Sequence, residues 1–216
     1  MHRAPLLPLV RLAAPLLAVL VPTSAWAGIP GWVNSTAPDC ITLVGSNGFA
    51  PAAGAGAFEV VVRDLANNTA PGVSVVVDFS NCLDLEICSD QMDPAITVNC
   101  GFKTVRKLSN SAGVAQFTIL GGSNGAGHAS TLLNGGRIFV GGALIKLPTV
   151  SALDLDGASG LGAGDLSAWL TDFGSGQPYG RSDYDCSGTI GASDLSLWLS
   201  VFGSGTITSS CGAGCP

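Results

Sequence analysis

From Cys40 to Leu147 apolar and polar residues alternate in short runs: CITLV, AFEVVV, VSVVVDFS, ITVNC, FKTVRKL, VAQFTIL, RIFVGG and ALIKL. Val, Ile, Thr and Phe dominate them, the signature of half-buried strands. Turn-forming stretches such as 67–72 (NNTAPG) and 109–113 (SNSAG) separate the runs. Many short strands at this spacing predict a mainly β domain, an antiparallel sandwich over residues 28–150. The pattern then changes period. Leu166, Trp169, Leu170 and Phe173 recur at helical spacing, and so do Leu195, Trp198, Leu199 and Phe202. Each set predicts a short amphipathic helix whose apolar stripe buries against the other, with Gly174 and Gly203 ending them. Pro148 to Ser151 reads as a short linker between the two parts.

The N-terminus differs from both. His2, Arg3 and Arg11 precede the apolar run Leu12–Val21 and then Ser24-Ala25-Trp26-Ala27. A charged region, an apolar core and an A-x-A site in this order predict a cleaved export signal over 1–27. Removing it leaves 189 residues (216 minus 27), enough for one ordinary domain plus a small one.

Export bears on the seven cysteines, at 40, 82, 88, 100, 186, 211 and 215. In an oxidising compartment they are expected in disulfides, with one thiol left over. Cys40, Cys82, Cys88 and Cys100 permit three pairings, of which Cys82 with Cys88 and Cys40 with Cys100 is the one favoured. Cys186 is expected to bond Cys211 or Cys215 and staple the tail, residues 206–216, unless those two pair locally.

Charge separates the two parts. Residues 151–216 hold seven aspartates and one base, Arg181, so they carry the whole formal charge of -6. Residues 1–150 balance at eight acids and eight bases. Without a basic patch, nucleic-acid binding is disfavoured.

The acidic part is an internal repeat. Residues 154–176 align with 183–205 at 13 identities in 23 positions. The second copy opens DYDCSGTIGASD, which fits a twelve-residue loop wrapping one cation with oxygens at positions 1, 3, 5, 7, 9 and 12. Asp183, Asp185 and Asp194 supply carboxylates, Ser187 a hydroxyl and Thr189 its backbone carbonyl. Gly191 holds a water-mediated place, Gly188 makes the sharp turn, and Ile190 is the apolar anchor. The first copy, DLDGASGLGAGD, keeps Asp154, Asp156 and Asp165 at positions 1, 3 and 12, with Leu161 as its anchor. Ala158 replaces an oxygen ligand and Ser159 replaces the turn glycine, so this loop is expected to bind more weakly or to shift register locally. An all-oxygen ligand set selects a hard cation, and Ca²⁺ suits the loop better than Mg²⁺. So small a pair of helices has little core of its own and is expected to be unfolded without the ion.

Two tandem calcium loops, each followed by a helix opening Asp-Leu, resemble a type I dockerin over residues 151–205. The resemblance implies EF-hand-like loops and docking onto a cohesin-type or cell-surface partner through loop positions 10 and 11. Those positions are Ala163, Gly164, Ala192 and Ser193 here; cellulosomal dockerins typically carry hydroxyl residues there, and this chain has only Ser193. In the β-rich part, APGVSVVVDFS (Ala70–Ser80) and SAGVAQFTI (Ser111–Ile119) resemble bacterial Ig-like domains of invasin and intimin type. That family implies a spacer or adhesive platform without a catalytic centre. The cysteine-bearing loop from Asn81 to Pro94 departs from it.

Catalysis is disfavoured on the residues available. His128 is the only histidine after the signal, and Glu59 and Glu86 are the only glutamates; neither a hydrolytic triad nor a facing carboxyl pair is indicated. The reading is a secreted, non-enzymatic calcium-binding attachment protein, extracellular or at the cell surface. The alternative is a carbohydrate-binding or accessory subunit of a polysaccharide-degrading assembly. Of the aromatics in the β part, Phe58, Phe79, Phe102, Phe117 and Phe139 read as core, while Trp32 and Phe49 read as loop-borne.

Overall fold

The computed structural model describes residues 30–45, 56–125, 135–158, 160–203 and 214–215. The expected signal (1–27), Phe49, His128, Ser159 and Cys211 lie outside them. The chain is mainly β, 35% strand and 19% helix, with antiparallel sheets.

Eight strands form where the alternating runs place them: β1 (Cys40–Leu43), β2 (Ala57–Val61), β3 (Ser74–Asp78), β5 (Thr97–Asn99), β6 (Thr104–Leu108), β7 (Val114–Thr118), β9 (Arg137–Val140) and β10 (Ala143–Lys146). Four more do not follow from periodicity: β4 (Leu85–Cys88), β8 (Gly121–Ser123), β11 (Thr149–Ala152) and β12 (Gly214–Cys215). A five-stranded sheet runs β10-β9-β3-β6-β5, a three-stranded one β12-β4-β8, and β2 pairs with β7. These pairings are antiparallel; β1 and β11 pair in parallel, Cys40 opposite Thr149 through Leu43 opposite Ala152.

The stretch read as a linker is thus largely a strand. All four residues of β11 are buried, because the parallel pairing takes up their backbone groups and the body covers both faces. The cysteine-bearing loop likewise contains β4, whose Leu85, Ile87 and Cys88 are buried. β8 is Gly-Gly-Ser, invisible to a hydrophobic pattern, and it needs its glycines. A Cβ on Gly121 would collide with the Glu86 carbonyl, and one on Gly122 would lie 3.2 Å from Asp154 Cβ.

One buried cluster fills the β-rich body, with Leu43, Val60, Val75, Val77, Phe79 and Ile138 fully inaccessible. A second joins Val44, Cys88 and Leu120 of that body to Leu153, Leu155, Leu161, Trp169, Tyr184 and Trp198 of the repeat. The helices α1 (Ala163–Ser175) and α2 (Ala192–Gly203) therefore each plant a tryptophan on the β body. Fully burying one large apolar side chain stabilises by about 1.5–3 kcal/mol, so the repeat has apolar anchorage besides any ion.

This corrects the expected packing of the two stripes against each other. Trp169 and Trp198 are buried, and Leu166 and Leu195 partly so, but Leu170, Phe173, Leu199 and Phe202 are 44–52% exposed. Phe173 stacks on Trp169 at 5.4 Å and Phe202 on Trp198 at 5.2 Å. The first helix also runs past Gly174 and closes on Gly176, which holds φ +67 as a left-handed cap does.

The cysteines pair differently from expectation. Cys40 bonds Cys186 and Cys100 bonds Cys215; Cys88 is also disulfide-bonded. Cys82 is the buried free thiol, pushed up to about 12 by its burial. The fold brings together cysteines up to 146 residues apart, so spacing along the chain misdirects. Among the described residues no helix is long and apolar enough to cross a membrane.

Candidate metal centres

Asp154 stands two residues past the end of β11, so the first acidic loop grows out of the β body. Ser123 N–H donates to the Asp154 carbonyl at 2.8 Å, and Leu153 N–H to the Leu43 carbonyl at 3.1 Å. The second loop is tied to the same place. The Tyr184 hydroxyl donates to the Ala152 carbonyl at 2.9 Å and Trp198 Nε1 to the Leu153 carbonyl at 3.0 Å. The Cys40–Cys186 disulfide adds a covalent tie.

Within each loop the carboxylates converge. Asp154, Asp156 and Asp165 each bring an oxygen within 4.8 Å of the others, and so do Asp183, Asp185 and Asp194. Positions 1 and 12 are buried in both groups, while position 3 is exposed. The closing aspartates are held identically. Asp165 accepts from Leu155 N (2.6 Å), Asp156 N (3.1 Å) and Gly162 N (2.7 Å). Asp194 accepts from Tyr184 N (2.7 Å), Asp185 N (3.1 Å) and Gly191 N (2.8 Å). Each stands in the first turn of its helix, which begins two residues before the Asp-Leu pair; a carboxylate there also meets the favourable end of the helix dipole.

The electrostatics leave room for a cation. Burial, with the charge of Asp165 beside it, raises the Asp154 carboxyl to about 7. Burial raises Asp183 to about 6 and also raises Asp165 despite its three backbone donors. Asp185 is instead lowered to about 2 by the Ser193 and Ser187 hydroxyls. The single base of this region is engaged elsewhere: Arg181 Nε and Nη2 each donate to Asp172 at 2.8 Å, and Ser182 Oγ joins them at 2.5 Å. Crowded buried carboxylates without a neighbouring base fit a metal ion, which would offset their mutual repulsion.

Ser187 and Gly188 hydrogen-bond to the second triad, and Ser187 also to Thr189. Ser187 N–H donates to Asp183 and Asp185, both at 3.0 Å, and its hydroxyl to the Thr189 carbonyl at 3.0 Å. Gly188 N–H donates to Asp183 at 3.0 Å and takes φ +82. Cys186, at position 4, is left-handed at φ +54 where the first copy has Gly157 at φ +70. In the first loop Gly160, at position 7, is left-handed at φ +87. Leu161 is buried and Ile190 partly buried in the second cluster.

Positions 10 and 11, Ala163, Gly164, Ala192 and Ser193, are exposed at the two helix starts. Position 11 also looks inward. A Cβ on Gly164 would collide with the Asp156 carboxylate, while Ser193 serves Asp185. Sequence reasoning missed the Arg181–Asp172–Ser182 lock, although the one base among seven aspartates was its signal. Comparison with protein-family models, curated proteins and solved structures finds no match.

Proposed function

We propose that the chain is a secreted, non-catalytic attachment protein whose repeat binds two Ca²⁺ ions in EF-hand-like loops and docks, as type I dockerins do, onto a cohesin-type or cell-surface partner. The β-rich body then acts as an Ig-like spacer. The observation that carries this reading is the duplicated triad: two carboxylate groups in one geometry, each closed by an aspartate that takes the same three backbone donors. Oxygen-only ligands favour Ca²⁺ over softer metals. The disulfides support an oxidising, extracellular location. With Ala158 lacking a side-chain oxygen, the first loop is the weaker site.

Titration calorimetry of chelator-treated protein tests the ion. Two calcium sites of unequal affinity, with magnesium much weaker, support the reading, and an absence of heat and of any change in melting temperature overturns it. Docking is tested on an immobilised panel of cohesin modules in calcium and in chelator. Capture that chelator abolishes, and that bulky replacements at Ala163 and Ala192 weaken, supports it; no capture by any module removes the docking half.

A further inference from the structure

Away from the acidic loops, the β body carries a cleft of about 440 Å³ where the ends of β3 and β9 meet β4 and the 3-10 turn Cys100–Phe102. That volume lies in the range of small-ligand sites, about 300–1,000 Å³. Its rim presents Phe102, 72% exposed, and Leu83, 59% exposed. Phe102 thus departs from the core role its neighbourhood suggested. The turn that carries it is held from both sides. Cys100 is bonded to Cys215 of β12, and Lys103, left-handed at φ +51, donates its ammonium to the Cys82 and Leu85 carbonyls at 3.1 and 2.6 Å. The backbone that carries the ring is thus ordered before any ligand lies on it, which lowers the ordering cost of binding.

The polar lining is balanced. Arg137 donates to Asp78 at 2.6 Å and to Ser80 at 2.7 Å, a planar pair with both donors and acceptors to offer. Glu86 also lines the cleft. Asp78 and Glu86 against Lys103 and Arg137 leave no net charge, so neither anions nor cations are selected. A ligand suited to an aromatic face beside mixed donors and acceptors has an apolar side, many hydroxyls and no charge.

We propose that this cleft is a subsite for a sugar residue of a neutral polysaccharide, with Phe102 under the ring face and Glu86 and the Arg137–Asp78 pair on the hydroxyls. It uses none of the metal-site carboxylates, so it stands or falls separately from them. Affinity gel electrophoresis of the full chain in calcium, through gels containing β-glucan, xylan, galactomannan or polygalacturonate, tests it. Retardation is expected in at least one neutral gel. Phe102→Ala should weaken it by roughly tenfold, the order of a lost aromatic contact, with an unchanged circular dichroism spectrum since the ring is exposed. Glu86→Gln should weaken it less. No retardation in any neutral gel overturns the proposal. So does retardation strongest in polygalacturonate, or retardation lost in Trp32→Ala and kept in Phe102→Ala.

Discussion

Cys40, the first residue of β1, is bonded to Cys186, the fourth position of the second acidic loop. The bond joins the start of the β body to the rim of a candidate metal centre, and Cys186 holds there a left-handed backbone that its counterpart Gly157 adopts freely. Replacing both cysteines by serine should destabilise the chain by about 2–5 kcal/mol, as loss of a long-range disulfide does. Denaturant titration without reductant measures it, and calorimetry on the same variant should show the second site weakened more than the first.

The closing aspartates separate the two centres. Asp194→Asn is expected to abolish the tighter calcium site and leave the weaker one, and Asp165→Asn the reverse. The number of sites in calorimetry reads the outcome directly.

In chelator, stability should fall as pH rises. A carboxyl whose folded pKa lies above its unfolded value holds its proton longer in the native state, so its contribution is full below the unfolded value of 3.8 and is lost on passing the folded one. For Asp183 and Asp154 that passage is near 6 and 7. Melting temperatures of ion-free protein should therefore decline between about pH 4 and pH 7. Calcium should reverse the trend, because binding displaces the protons.

Asp172→Ala would take from the buried Arg181 the carboxylate it chelates through two nitrogens. Breaking such a pair from one side costs about 3–5 kcal/mol. Urea denaturation should show that loss, and the double replacement Asp172→Leu with Arg181→Met should recover part of it.

The sequence was most legible where structure is local. Asp183, Asp185 and Asp194 find one another because a single short loop carries them, so spacing alone predicts their convergence. The eight strands with clear alternation formed for a similar reason. What escaped was set by distant partners: β8, two glycines and a serine, exists because Glu86 and Asp154 press on it, and β11 because β1 lies alongside. Leu170 and Phe173 share a stripe with Trp169, yet only Trp169 reaches the second cluster, since the helix meets the β body along one edge.

The Cys40–Cys186 bond also fixes how the molecule bears tension. A pull between the segment before residue 40 and a clamp on the second helix passes from one sulfur to the other, across a sequence separation of 146, and skips the chain between them. Strands β1 to β11 then hang as a slack loop beside a short taut path, and their extension under force is withheld until that one covalent link is reduced.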